Sequence, residues 1–136
     1  MILVDANVFM YAAGVAHPNK EPSVRFLMLV AQGKVQAATD AEVLQEILHR
    51  YRSIRRWNQG RLVYDLAREV CPRVLPVGVD VMDRARAIMD AQPILMARDA
   101  VHAAVYIIAN ASALCSYDRD FDRVADIRRK PPEDFV

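Results

Sequence analysis

The chain has 136 residues, 54% of them hydrophobic and 26% charged. That length fits one domain spanning residues 1–136, with a core large enough to need no disulfide or metal. The composition excludes a disordered or collagen-like chain. Eighteen Lys+Arg against seventeen Asp+Glu leave a formal charge of only +1, which argues on its face against a strongly basic nucleic-acid binder.

In chain order, Ile2-Leu3-Val4 reads as a buried strand stopped by Asp5. Asp5 to Ala13 reads as a short helix ended near Gly14. After a Pro-containing loop, Ser23 is expected to cap a helix over 24–32, with Val24, Leu27, Met28 and Ala31 inward. Val35 to Ala38 is a short strand. Thr39 or Asp40 then caps a helix that buries Val43, Leu44, Ile47, Leu48 and Tyr51. A basic helix follows from Trp57 or Asn58 to Val70, with Leu62, Val63, Leu66 and Ala67 as its apolar side. Val74 to Val77 is a strand, and Asp80 is expected to cap a helix reaching about Ala91. Ala97 to Ala111 is a strongly apolar central helix. Ala113 to Ser116 is a buried strand running into Tyr117-Asp118, followed by a helical turn near 120–124 and a tail containing Pro131-Pro132.

Strands alternating with helices indicate an α/β fold, a parallel sheet covered on both faces. Ligand sites in such sheets lie beyond the carboxyl ends of the strands. No secretory leader is expected, because the apolar start meets Asp5 at once and lacks a basic region. The longest mostly apolar stretch, 101–115, contains Asn110 and Ser112 and is shorter than the ~18 residues of a membrane span. Cys71 and Cys115 have no metal-binding spacing and are expected as reduced thiols of a cytoplasmic protein.

Acids gather at the strand ends. Asp5 ends the first strand and Asp118 lies just past the last. Glu42 and Glu46 share a helix face four residues apart, with Glu46 bordering the apolar side. Asp99 stands near the start of the apolar helix, and Asp120 and Asp122 follow Asp118. Taken singly, Asp5 or Asp99 is an ordinary helix-start cap, and Glu42 belongs to a capping box beginning at Thr39 or to the solvated surface. The set Asp5, Glu46, Asp99 and Asp118 carries more weight. Converging carboxylates repel and raise each other's pKa. A hard divalent cation removes that cost, and Mg²⁺ favours oxygen ligands. With a phosphodiester supplying further oxygens, metal-dependent phosphodiester hydrolysis is the natural chemistry.

These residues carry a family resemblance. Ile2-Leu3-Val4-Asp5-Ala6-Asn7, Val43-Leu44-Gln45-Glu46-Ile47-Leu48, Ala97-Arg98-Asp99-Ala100 and Ser116-Tyr117-Asp118-Arg119-Asp120-Phe121 resemble, in order, the four motifs of PIN-domain ribonucleases. The similarity spans essentially the whole chain and is greatest to VapC-type toxins of toxin–antitoxin pairs. It implies a PIN-like three-layer fold, with a short, mainly parallel five-stranded sheet flanked by helices. It implies Mg²⁺, or Mn²⁺, held by Asp5, Asp99 and Asp118, with Glu46 as the fourth principal acid. Asp120 becomes an accessory acid, and Glu42 takes Glu46's place if the helix register differs. Asn7 and Ser116 match small polar positions that support the acids. The implied reaction is endonucleolytic hydrolysis of RNA by metal-activated water. The implied partners are a small VapB-like antitoxin and a second copy of the chain.

Positive charge concentrates between Arg50 and Arg73, where seven arginines face Asp65 and Glu69. Arg50, Arg52, Arg55 and Arg56 are candidates for the RNA backbone, because guanidinium groups offer forked donors to phosphate. Trp57 and Tyr51 are candidates for stacking on bases. His102 is one helical turn from Asp99 and reads as a packed or hydrogen-bonded histidine. His49 and His17 read as helix-face and loop residues. Three alternatives stand beside this reading. A free-standing PIN nuclease would need no antitoxin. A different metal-dependent enzyme is the second: an aspartyl phosphatase is disfavoured by Asn7, which stands where a second Asp is wanted, whereas a DNA nuclease stays open, since DNA presents the same phosphodiester and only 2′-OH contacts distinguish RNA. A non-catalytic metal- or RNA-binding module is the third; its receiver-like form is disfavoured by the absence of a lysine near the acids.

Overall fold

The computed structural model describes residues 1–136. Strand β1 (Ile2–Val4) leads into helices α1 (Ala6–Ala13) and α2 (Lys20–Ala31), then strand β2 (Ala37–Asp40). Helices α3 (Ala41–Ser53) and α4 (Trp57–Val70) precede strand β3 (Val74–Leu75). Helices α5 (Val79–Ala91) and α6 (Ala97–Ile108) precede strands β4 (Ala113–Cys115) and β5 (Arg129–Lys130). Short 3₁₀ turns at Arg119–Arg123 and Pro132–Phe135 flank β5. The strands form one sheet in the order β3-β2-β1-β4-β5, every neighbouring pair parallel.

Such short strands are stable only when both faces are covered, and alternation along each strand sends neighbours to opposite sides. Leu3 and Leu114 face the core built with α5 and α6. Val4 and Cys115 face the core built with α1 to α4, which contains Phe9, Phe26, Ile47 and Val63. The result is three layers, with β1 and β4 side by side in the middle. Helix α6 is the most enclosed of the helices, buried without interruption from Ala100 to Tyr106.

The α/β expectation is borne out, and several boundaries differ for identifiable reasons. Helix α2 begins at Lys20 rather than after Ser23. Pro22 falls in its first turn, where a missing N–H does no harm, and Ser23 is buried with Oγ donating to the Asn19 carbonyl at 2.7 Å. Asp40, not Thr39, caps α3, because the Thr39 hydroxyl donates instead to the Val4 carbonyl across the sheet at 2.9 Å. Asp80 lies inside the first turn of α5, with Gly78 at the cap position. Helix α6 stops at Ile108 because Asn110 takes a left-handed conformation, φ 55°. Met28, Leu48 and Leu62 are exposed rather than inward. The tail supplies β5, an edge strand too short and too basic to read as one from periodicity.

Helices α3 and α4 approach closely at one point. A Cβ added at the buried Gly60 would stand 2.5 Å from Tyr51 Cβ, which is itself 5% exposed and core-facing. Neither backbone can move without separating the pair. Gly60→Ala is therefore expected to destabilise the fold by about 1–3 kcal/mol, the usual cost of overpacking. Thermal or urea unfolding checks this; an unchanged melting temperature would contradict the close approach.

Candidate active site

Parallel pairing brings strand ends to one edge. The β1–β4 register, Val4 beside Cys115, sets Asp5 and Ser116 side by side just beyond the sheet. Extending the β1–β2 register, Ile2 beside Ala37 and Leu3 beside Ala38, sets Asp5 level with Asp40. Asp5 caps α1, its Oδ1 accepting from the Ala6 N–H at 2.7 Å. Its Oδ2 accepts from the Ser116 hydroxyl at 2.6 Å and the Asn7 amide at 3.2 Å. Asn7 also donates to Ser116 Oγ at 3.1 Å and accepts from the Tyr117 N–H at 3.3 Å. Ser116 Oγ accepts from the Asp118 N–H at 2.9 Å. Asn7 and Ser116 thus tie the end of β1 to the segment after β4.

Helix α6 delivers a buried histidine into this edge. His102 is 2% exposed and lies among three carboxylates. Its Nδ1 stands 2.8 Å from Asp40 Oδ2, and its Nε2 stands 3.4 Å from Glu46 Oε2 and 3.8 Å from Asp5 Oδ1. Burial works against the imidazolium. The Asp40, Glu46 and Asp5 carboxylates outweigh burial and hold its pKa well above the ordinary value. Asp40 is fully buried, and its other oxygen accepts from the Val43 N–H at 2.9 Å. Asp40 joins the acids, beyond the helix-cap role that its place before α3 predicts. Its signal in the sequence was its place at the end of β2, equivalent to that of Asp5 on β1.

The remaining acids form a second group. Asp99, in the first turn of α6, meets Asp118 and Asp120, and the three can offer oxygens all within 4.8 Å of one another. Asp5, Glu46 and His102 offer ligand atoms within the same span. Asp118 Oδ1 accepts from the Asp120 N–H at 2.9 Å. Burial, with the nearby charges of Asp118 and Asp5, pushes the Asp99 carboxyl up to about 7. Burial also raises Asp5, against the lowering effect of His102. Glu42 is half-buried and raised by burial, but it lies outside both groups, whereas Glu46 lies within one. Asp122 faces away and pairs with Arg129 at 2.9 Å. Oxygen-rich chemistry, like-charge crowding and nearby waterside exposure together fit a hard divalent cation.

A recess of about 490 Å³ opens beside Glu46 and Asn7, between α1 and the α3–α4 hairpin. Arg50, Arg56 and Arg98 line it. Arg98 Nη1 lies 3.4 Å from Glu46 Oε1. The four arginines read as an RNA path therefore separate. Arg50 and Arg56 border the recess, Arg52 lies over the Trp57 ring at 4.4 Å, and Arg55 occupies the hairpin turn with φ 59°. The aromatic candidates change as well. Tyr51 is largely buried but reaches the wall of the recess, Trp57 is half-buried with Arg52 over one face, and Tyr11 and His17, with ring centroids 4.7 Å apart, form a pair of rings at the recess that the sequence pattern does not announce.

The PIN domain family matches residues 2–127. A VapC ribonuclease of Mycobacterium bovis and ribonuclease VapC13 of Mycobacterium tuberculosis are each 40% identical over 129 residues, covering 95% of this chain and 98% of theirs. Ribonuclease VapC7 of M. tuberculosis is 31% identical over 134 residues, covering 98% and 92%. Among solved structures, M. tuberculosis VapC20, a sarcin-ricin loop cleaving toxin, has a TM-score of 0.76 at 18% identity, covering 93% of this chain and 96% of that one. VapBC2 of Rickettsia felis, bound to a promoter DNA fragment, has a TM-score of 0.74 at 19% identity, covering 96% and 98%. With its five parallel strands, its flanking helices and these matches over nearly its full length, the chain belongs to the PIN domain family and, within it, to the VapC ribonucleases.

Proposed function

We propose that the protein is a Mg²⁺- or Mn²⁺-dependent endoribonuclease, the toxin of a toxin–antitoxin pair. The observation that carries this reading is the presence of two adjoining acid groups at the carboxyl edge of the sheet, Asp5 with Glu46 and Asp99 with Asp118, near enough that Asp5 and Glu46 act on the Asp99 carboxyl, beside an arginine-lined recess. Kinship with VapC ribonucleases supports RNA as substrate, and the likeness to the VapBC2 complex supports a small VapB-like antitoxin; a homodimer and action in the cytoplasm belong to the same proposal. No helix is long and apolar enough to cross a membrane.

Asp5, Asp99 and Asp118 would hold the cation, with Glu46 and Asp120 close enough to take a ligand or orient a water. Bound there, the metal supplies an acidified water for in-line attack and neutralises charge gathering on the phosphate. Ser116 and Asn7 keep Asp5 from swinging away, through the 2.6 and 3.2 Å bonds to Oδ2. Arg50 and Arg56 draw the polyanion toward the recess, and Arg98 spans between that recess and Glu46.

Three outcomes test the reading. In side-by-side digests of matched RNA and DNA, cleavage should be confined to RNA, stop in EDTA, and leave 5′-phosphate and 3′-hydroxyl ends. Asp5→Asn or Asp99→Asn should lower the rate by at least about 100-fold, the upper range for losing even a supporting partner of a metal ligand. The Asp5→Asn fold should survive, since Asn also caps helices. Cleavage that persists in EDTA would sink the metal mechanism.

The second outcome concerns pH. Asp99 binds its proton up to about pH 7 in the folded chain but only to about 3.8 when unfolded. The metal-free fold therefore holds more protons across that window, and its stability should fall as pH rises through it. His102, raised in the folded state, adds loss in the same direction above its ordinary value. Melts in EDTA should show a lower midpoint at pH 8 than at pH 5.5, with Mn²⁺ restoring more at pH 8. A metal-free midpoint that rises with pH would contradict the crowding at Asp99.

The third outcome concerns the recess. Arg50→Ala and Arg56→Ala should each raise KM for RNA several-fold with kcat little changed. Each should also reduce the log–log salt slope of binding by about 0.7, the value per phosphate contact on a single strand. Unchanged salt slopes in both variants would remove these arginines from the RNA path.

A further inference from the structure

We propose that Asp40 and His102 form a buried positioning pair that sets Glu46 and Asp5 in place before the divalent cation arrives. The inference rests on the metal-dependent reading above and adds two residues that the acid set does not include.

The geometry begins at the end of β2. Both Asp40 oxygens are engaged, Oδ1 by the Val43 N–H and Oδ2 by His102 Nδ1, so the imidazole is fixed from behind. The far edge of the ring then points its Nε2 toward Glu46 Oε2 and Asp5 Oδ1. One rigid ring thus connects the ends of β2 and β1 with the middle of α3. Asp5 has three other donors, from Ala6, Asn7 and Ser116. Glu46 has only Arg98, whose side chain is 54% exposed. A long glutamate has much rotamer freedom to lose on ordering. His102 is the buried group that can limit it.

Before a cation arrives, the ring can only serve as a donor to the carboxylates around it. Coordination through Nε2 needs a neutral imidazole and would turn Asp40 and His102 into a carboxylate–histidine–metal triad, the arrangement that the electron-spin-echo spectrum of bound Mn²⁺ separates from the donor role. Donation from both nitrogens balances Asp40 and reaches Glu46. The 3.4 and 3.8 Å separations exceed the ~2.7–2.9 Å of a fully drawn charge-assisted bond. Neither carboxylate is collapsed onto the ring, and each retains oxygen lone pairs for a metal or its water.

The test separates position from charge and from folding. Asp40→Ser keeps a good helix cap but is too short to reach His102. Asp40→Asn also caps and can hold the ring by donating its amide to Nδ1, leaving Nε2–H toward Glu46. Both variants lose the same charge, and only Ser loses the support. Mn²⁺ affinity of the metal-free full-length protein is measured by calorimetry without RNA, alongside kcat, KM and a thermal melt. Asp40→Ser should bind Mn²⁺ about 10–100-fold more weakly, as loss of a supporting partner does elsewhere. Its kcat should fall in parallel with KM nearly unchanged, and Asp40→Asn should recover most of both. His102→Leu, which removes the donor with little change in volume, should match Asp40→Ser, and either folded variant decides the comparison. Wild-type Mn²⁺ affinity in folded Asp40→Ser, or equal loss in Asp40→Asn, would overturn the proposal. So would a directly coordinated imidazole nitrogen in the electron-spin-echo spectrum of bound Mn²⁺, which would make His102 a ligand. If the wild type binds Mn²⁺ but cuts no RNA, the nuclease reading fails while the affinity comparison still decides the positioning role.

Discussion

The edge of the sheet is governed by how six carboxylates share a small volume. Asp5, Asp40, Glu46, Asp99, Asp118 and Asp120 converge there, and they divide by what compensates them. Asp5, Asp40 and Glu46 surround the His102 ring, which is buried and whose pKa their charges hold well above the ordinary value. Asp99, Asp118 and Asp120 have no buried cation; Arg123 reaches only Asp120, at 3.7 Å and with both side chains well exposed. The difference is visible in Asp99, whose carboxyl is pushed up to about 7 by burial and by its acidic neighbours. The inner group is held together by the protein's own charge. The outer group lacks one, and a divalent cation bridging toward it would relieve the repulsion that remains.

The fold creates this asymmetry through its layers. Helices α1 to α4 cover one face of the sheet and carry the recess with Arg50 and Arg56. Helices α5 and α6 cover the other, and α6 aims Asp99 and His102, one turn apart, at the strand ends. Spacing on a single helix therefore serves both acid groups: Asp99 joins the outer one and His102 the inner one. The enclosure of α6 from Ala100 to Tyr106 fixes that aim, because a helix packed on all sides cannot rotate to relieve the repulsion at Asp99.

Much of this was legible in the sequence, and the rest failed for physical reasons. Short apolar runs ending at Asp5 and after Cys115 announce strands, and helical spacing places Glu46 and Asp99 without a structure. Asp40 was hidden because an Asp before a helix has an ordinary local explanation as a cap, and here it is a cap as well. Only the strand register reveals that the same side chain also reaches 62 residues onward to His102. Strand β5 was hidden because two basic residues at a sheet edge need no hydrophobic alternation. The surroundings of Tyr51 and Trp57 were hidden because local sequence does not show that Gly60 lets α4 close over Tyr51, or that Arg52 lies over one face of the Trp57 ring.

The near-neutral total charge is a sum over two unlike regions. Six of the seventeen acids stand at the strand edge, so the other eleven are outnumbered by eighteen lysines and arginines. The Debye length at physiological salt is about 8 Å. An approaching polyanion therefore responds to the surface nearest it rather than to the chain's total. Across the α3–α4 hairpin that surface is arginine-rich and positive. At the acidic edge, His102 faces the inner acids, and a bound divalent cation would offset two negative charges. Repulsion of a phosphodiester by the pocket is thus greatest in the metal-free protein and falls when the cation is present. On the proposed reading, a single term, the pocket's unbalanced charge, would couple metal occupancy to admission of the nucleic acid. On that metal-dependent reading, the arginines of the recess would attract the strand in either state, while only the compensated pocket would accept a phosphate beside Asp99.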